Sequence, residues 1–193
     1  MKKTLIFILA LVLLLALVGG CSYNAMVSKE ESVKTAWAQV ENVYQRRADL
    51  IPNLVATVKG YAAHEQTTLE GVMEARAKAS QTVIDPSQLS PQSLQQFQAA
   101  QGEISSALSR LMVVVERYPE LKANQNFLEL QAQLEGTENR IATERKRFNE
   151  VVQDYNTYIR KFPRLLFAGM FGFSQKPYFS AEEGAQSVPQ VRF

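Results

Sequence analysis

From Val33 to Phe162 the sequence contains only four glycines and four prolines, and its apolar residues recur at alternating steps of three and four. Steps that average 3.5 put one apolar stripe on an α-helix, the seam of helices packed at a shallow angle in bundles and coiled coils. A first segment carries Trp37, Val40, Tyr44, Arg47, Ile51, Leu54, Val58 and Tyr61 at this spacing. A later one carries Leu94, Phe97, Gln101, Ile104, Leu108, Leu111, Val115 and Tyr118. The last runs from Phe127 through Leu134, Ile141, Phe148 and Tyr155 to Phe162. Helix breakers divide the pattern. Pro52 predicts a kink, since it lacks an N–H and its ring crowds the preceding turn. His64–Thr68 is a short polar break, after which Leu69, Val72, Met73, Arg76 and Ala79 form a second helix or prolong the first. Asp85–Leu89 reads as a turn, Ser90-Pro91 as an N-cap followed by proline at the first helical position, and Asn124 as the cap of the last helix. A helix from Asn124 to Lys161 would be about 57 Å long. The expected fold is all-α, an elongated antiparallel up-and-down bundle of long helices.

The bundle is preceded by a membrane signal. After Met1-Lys2-Lys3, residues Leu5 to Val18 form an unbroken apolar run of 14. That length suits a signal-peptide core and falls short of the roughly 20 residues that span a bilayer of about 30 Å, although the uncharged stretch extends from Thr4 to Ser28. Two readings stay open. In one, Val18-Gly19-Gly20-Cys21 resembles the lipobox of bacterial lipoproteins and Cys21 is lipidated after cleavage; in the other, the segment is retained as a signal-anchor helix. Both tether the chain to a membrane. Lys2 and Lys3 favour a cytoplasmic N-terminus, with everything after Cys21 on the extracytoplasmic side.

The sequence therefore divides into a membrane signal at 1–21, a helical bundle at 22–163 and a C-terminal region at 164–193. Six of the ten Phe lie after Lys161, and Leu165 to Ser174 is uncharged. This predicts a hydrophobic flap packed on the bundle, with a membrane-surface or partner-docking segment as the functional alternative. Residues after Ser180 read as a mobile tail.

Charge and motif arithmetic removes most chemistry. The chain has 21 basic and 19 acidic residues, and without Lys2 and Lys3 the two signs balance, so nothing offers a field for nucleic acid. One Cys excludes an internal disulfide framework, and one His excludes a multi-histidine metal centre. His64-Glu65-Gln66-Thr67-Thr68 starts like a zinc-protease helix but has Thr where the second His must stand. Di-iron carboxylate sites need two Glu-x-x-His pairs, and neither exists. No phosphate loop is present. Arg47 and Arg145 fall on the apolar stripe, which calls for buried ion pairs with Asp49, Glu74, Glu138 or Glu144. No catalytic, metal or cofactor site is expected.

Several ordered strings are nevertheless specific. Tyr23-Asn24, Arg46-Arg47-Ala48-Asp49-Leu50-Ile51-Pro52-Asn53-Leu54-Val55, Val58-Lys59-Gly60-Tyr61, His64-Glu65 and Ala75-Arg76 resemble motifs of the LemA family of bacterial envelope proteins. So do Glu116-Arg117-Tyr118-Pro119-Glu120-Leu121-Lys122-Ala123, Thr137-Glu138-Asn139-Arg140-Ile141, Arg147-Phe148-Asn149, Tyr155-Asn156, Phe162-Pro163 and Lys176-Pro177-Tyr178-Phe179. Phe148 departs from the pattern, where the family more often has Tyr. The resemblance implies an antiparallel bundle behind one N-terminal membrane segment, with no established enzymatic activity, no cofactor and no catalytic residues to carry over. It marks Arg47, Asp49, Pro52, Asn53, His64, Arg76, Tyr118, Glu138, Asn139 and Phe179 as structural or partner-binding positions. Family members are often encoded near a membrane zinc metalloprotease, which implies a role beside other envelope proteins.

The leading expectation is thus a membrane-tethered, non-enzymatic scaffold or adaptor of the bacterial envelope. Two alternatives accompany it: a ligand-binding sensor or hydrolase using the Arg47, Asp49 and His64 region, and a self-assembling structural protein.

Overall fold

The chain is helical throughout the bundle. Helix α1 spans Lys2–Lys59, α2 Gln66–Gln81, α3 Pro91–Val115, α4 Pro119–Lys122, α5 Gln125–Arg160 and α6 Arg164–Met170, with a single 3-10 turn at Pro86–Gln88. The computed structural model describes residues 2–180; within α1 the side chains of residues 5, 8, 11, 12 and 14–18 lie outside that description, as does the tail expected after Ser180. Among the described residues no helix is long and apolar enough to cross a membrane, and the side chains of most of the Leu5–Val18 run fall outside that description.

Side-chain pairs set the directions. Lys29 meets Asp154, Arg47 meets Glu138, and Asn124 donates to the Tyr61 hydroxyl, so α1 and α5 run antiparallel along their shared length. Lys78 pairs with Glu103 and Glu65 with Arg117, so α2 and α3 are antiparallel as well. The result is the expected up-and-down bundle. On α5, Phe127, Leu134, Ile141, Phe148 and Tyr155 stand seven residues apart, and all are buried. From Phe127 to Tyr155 this stripe covers about 42 Å of the 36-residue helix.

The helix ends follow local chemistry. The Ser90 hydroxyl accepts from Ser93 N and the Ser93 hydroxyl accepts from Ser90 N, both at 3.1 Å, satisfying two donors that would otherwise be orphaned. Asn124 Oδ1 accepts from Phe127 N at 3.0 Å. Asp85 Oδ1 caps the 3-10 turn through Ser87 N and the Ser87 hydroxyl, hydrogen bonds that hold its carboxyl below the usual range. Residues 66–81 form a separate helix rather than a continuation of α1.

Pro52 stands inside α1, and the helix continues through it. Proline has no N–H, so the carbonyl of Ala48, one turn earlier, loses its helical donor. Arg76 Nε of α2 donates to that carbonyl at 2.7 Å. The defect in one helix is thus filled by a side chain of the next, which explains why Pro52 and Arg76 occur together. Replacing Arg76 with Met should cost about 1–3 kcal/mol, because the Ala48 oxygen is left without a donor. The same change in a Pro52→Ala background should cost clearly less, since the alanine N–H restores the helical bond. Denaturant unfolding of the four proteins of this double-mutant cycle checks the coupling.

Candidate functional site

The core is two apolar clusters separated by one polar layer. Trp37, Tyr44, Phe97, Ile141, Phe148, Val152 and Tyr155 belong to the first; Ile51, Leu54, Ile104, Leu111, Phe127 and Leu134 belong to the second. Between them lies Arg47, 2 % exposed. Its Nη1 donates to Glu138 Oε1 at 2.8 Å and to the Ser105 hydroxyl at 3.1 Å. Nη2 donates to Gln101 Oε1 at 2.6 Å and to the Gln101 carbonyl at 3.1 Å, and the guanidinium lies 5.1 Å from the Tyr44 ring centre. Four acceptors from α3 and α5 thus surround one cation from α1. Of its donors, Nε alone is buried without a hydrogen-bond partner.

The second arrangement is a strap. After α6 the chain is extended from Phe173 to Ser180 and runs back along α5. Asn156 Nδ2 donates to the Lys176 carbonyl and its Oδ1 accepts from Lys176 N, each at 2.9 Å. Asn149 treats Phe179 in the same way, at 3.0 and 2.8 Å. Each asparagine amide therefore pairs with one residue's backbone as a neighbouring strand would. The Tyr155 hydroxyl donates to the Ser174 carbonyl at 3.0 Å, and Arg145 and Gln98 both donate to the Ser180 carbonyl. Lys176, buried, reaches Glu30 Oε1 at 3.0 Å and the Ser87 carbonyl at 3.3 Å. Phe179 closes the strap: its ring stacks on Trp37 at 5.9 Å and 13°, meets Phe148 edge-on at 5.3 Å and carries the Arg145 guanidinium at 5.0 Å. Of the Phe-rich C-terminal region, Phe173 and Phe179 pack on the bundle.

A cavity of about 100 Å³ opens beside this cluster, lined by Glu41, Tyr44, Gln45, Phe97 and Gln101 among others. Burial pushes the Glu41 carboxyl up, opposed by the Trp37 indole N–H, which reaches no partner at full hydrogen-bonding geometry.

The remaining sequence-marked residues are dispersed. Asp49 is exposed and accepts from Gln45 Nε2 at 2.7 Å. His64 is exposed in the turn between α1 and α2. From Arg47, α1 runs on to Lys59, about 18 Å at helical rise, before the turn that carries His64. Arg47, Asp49 and His64 therefore do not converge on one pocket. Of the four carboxylates expected to pair with the stripe arginines, Glu138 holds Arg47; Asp49 and Glu74 are exposed, and Glu144 faces Arg147 at 4.0 Å. Arg145 serves the strap. Asn53 and Asn139 present exposed side chains, while their backbone carbonyls accept from Thr57 and Thr143. Tyr118 donates to Glu65 Oε1 at 3.2 Å, beside Arg117 at 2.9 Å; desolvation and then Glu65 raise its pKa. Cys21 is exposed. Among the described residues no group of three His, Cys, Asp or Glu side chains could hold a metal ion. Asn149, Asn156 and Lys176 stand within the family-like motifs, but the sequence assigned them no role. Two asparagines seven residues apart on the apolar stripe, beside Phe148 and Tyr155, were the available signal.

A long antiparallel bundle whose buried cation joins three helices, and whose C-terminal strap is held by side-chain amides, defines an all-α helical-bundle protein. By sequence the chain belongs to the LemA family, whose model matches residues 36–193. It is similar to magnetosome proteins MamQ 1 and MamQ 2 of Paramagnetospirillum magneticum, 27 % identical over 190 residues, covering 88 % of this chain and 68 % of each relative. It is also similar to Protein LemA of Metamycoplasma hominis, 24 % identical over 139 residues, covering 72 % of this chain and 60 % of the relative.

Removing both amides with Asn149→Ala and Asn156→Ala should free the strap while the helices persist. Amide exchange at Lys176 and Phe179 should accelerate by orders of magnitude, with helical circular dichroism nearly unchanged. Tyr155 gives a pH test. Burial, with a smaller contribution from Glu30, raises its pKa from 10.0 to about 12. The folded state thus holds the phenolic proton more tightly than the unfolded state. The resulting stability is complete below pH 10 and is lost as pH rises from 10 to 12. Thermal melts across that range should fall more steeply for the parent than for Tyr155→Phe.

Proposed function

We propose that this protein is a membrane-tethered helical scaffold of the bacterial cell envelope that binds other envelope proteins, including those of membrane-protein quality control. The observation that carries this reading is the inward use of the bundle's polar chemistry. Arg47, Glu138, Gln101, Asn149, Asn156 and Lys176 are held by one another or by backbone, and Asp49 and His64 stand apart on the surface. What the molecule offers outward is long helical faces. The tether is the N-terminal apolar run, continuous with α1, placed with its Lys2-Lys3 end in the cytoplasm and the bundle on the extracytoplasmic side. Lipidation of Cys21 is the other form of the same attachment, and membership of a family with bacterial relatives supports an envelope setting.

Val83 and Val113 are the test positions, at 80 and 70 % exposure on the bundle surface. Photoreactive residues placed there, crosslinked in native membranes and analysed by mass spectrometry, should capture other envelope proteins. Recovery of this chain alone would replace the adaptor with a self-assembling structural protein.

A further inference from the structure

We propose that Phe162–Phe171 seats in the headgroup region of an anionic phospholipid bilayer, a second contact beside the N-terminal tether. This rests on the tethered reading above. One side of α6 belongs to the protein: Ala168 is buried, Phe167 lies against Gly19 of α1, and Tyr23 meets Phe171 edge-on at 5.2 Å and Phe173 at 5.8 Å. Among the described residues nothing covers the other side. Phe162, Leu165, Leu166 and Met170 are 55–81 % exposed, an apolar density that a chain in water seldom leaves open.

Position and charge identify the occupant. Gly19 is the residue directly after the Leu5–Val18 run, and exposed Leu13, Leu9, Phe7 and Ile6 precede it on the same helix. Leu13 is only about 9 Å along the axis from Gly19. A helix that carries the chain into a bilayer therefore brings α6 to the surface of that bilayer. The charges at this end are of one sign. No Asp or Glu occurs before Glu30 or between Asp154 and Glu182, whereas Arg160, Lys161 and Arg164 flank the apolar residues. Arg160 and Lys161 are exposed, and the Arg164 guanidinium lies 4.1 Å from the Tyr158 ring centre. Exposed apolar side chains with Arg160, Lys161, Arg164 and Tyr158 beside them suit the layering of acyl chains beneath anionic headgroups.

The full-length chain is reconstituted into phosphatidylethanolamine–phosphatidylglycerol vesicles carrying brominated acyl chains. Leu166→Trp and, separately, Met170→Trp place an indole on the open face; Val113→Trp is the control, and the native Trp37 is buried. The added emission at 166 and 170 should shift to the blue and lose most of its intensity to the bromines, while that at 113 is unaffected. If the chain floats with the vesicles but neither indole is quenched, this proposal falls and the tether stands. Failure to float removes both. Crosslinking of position 166 to a protein in native membranes, without quenching, would assign the face to that protein and overturn the lipid contact.

Discussion

A guanidinium taken out of water has to be met by acceptors, and at Arg47 those acceptors come from two other helices. Apolar seams tolerate a slip of one heptad at modest cost, because one leucine layer resembles the next. A buried cation does not, since sliding α5 by seven residues would leave Glu138 about 10 Å away. This layer sets the axial position of α1 against α3 and α5. With it fixed, Trp37 faces Phe148, Pro52 presents its orphaned carbonyl to Arg76, and the end of α5 arrives where α1 emerges from its apolar run. Glu138 keeps part of its surface in water, so the pair is anchored on one side only. That limits the desolvation cost of holding it.

The strap follows from the same register. Asn149 and Asn156 lie on the face of α5 beside Phe148 and Tyr155, and the ring of Phe179 fits between Trp37 and Phe148 only while those two remain opposite each other. The aromatic cluster and the amide pairs thus read the alignment that the arginine layer imposes. The C-terminal segment reports on helices far from it in sequence.

Much of the fold was legible in the residues. The 3.5-residue apolar spacing on α5 predicted its length to within the cap residues, and Ser90-Pro91 and Asn124 marked helix starts by their hydrogen-bonding chemistry. Glu138 stood among the partners expected for Arg47, because a charge on an apolar stripe demands one. The strap was not legible in the same way. Its segment has no periodicity, and asparagine within a helix ordinarily signals a solvated or turn-forming residue, so only the seven-residue spacing of Asn149 and Asn156 hinted that they bind a distant backbone. Arg76 was marked by its motif, but its task depends on a carbonyl freed by a proline 24 residues earlier, a relation that exists only once α2 has folded against α1. Arg47, Asp49 and His64 are close in sequence and apart in space, because helical rotation and a turn separate neighbours that a linear reading groups.

The two asparagine clamps also make the strap commensurate with the helix it lies on. Asn149 and Asn156 are seven helical residues apart, an axial distance of about 10.5 Å, while the residues they hold, Phe179 and Lys176, are three extended residues apart, about 10 Å. Helix and strand therefore match like the scales of a vernier, coinciding at these two marks. Adding or deleting one residue between 176 and 179, or between 149 and 156, moves one mark off while the other holds. Only the linker around α6 can absorb a change in length here, because the strap itself has a fixed gauge.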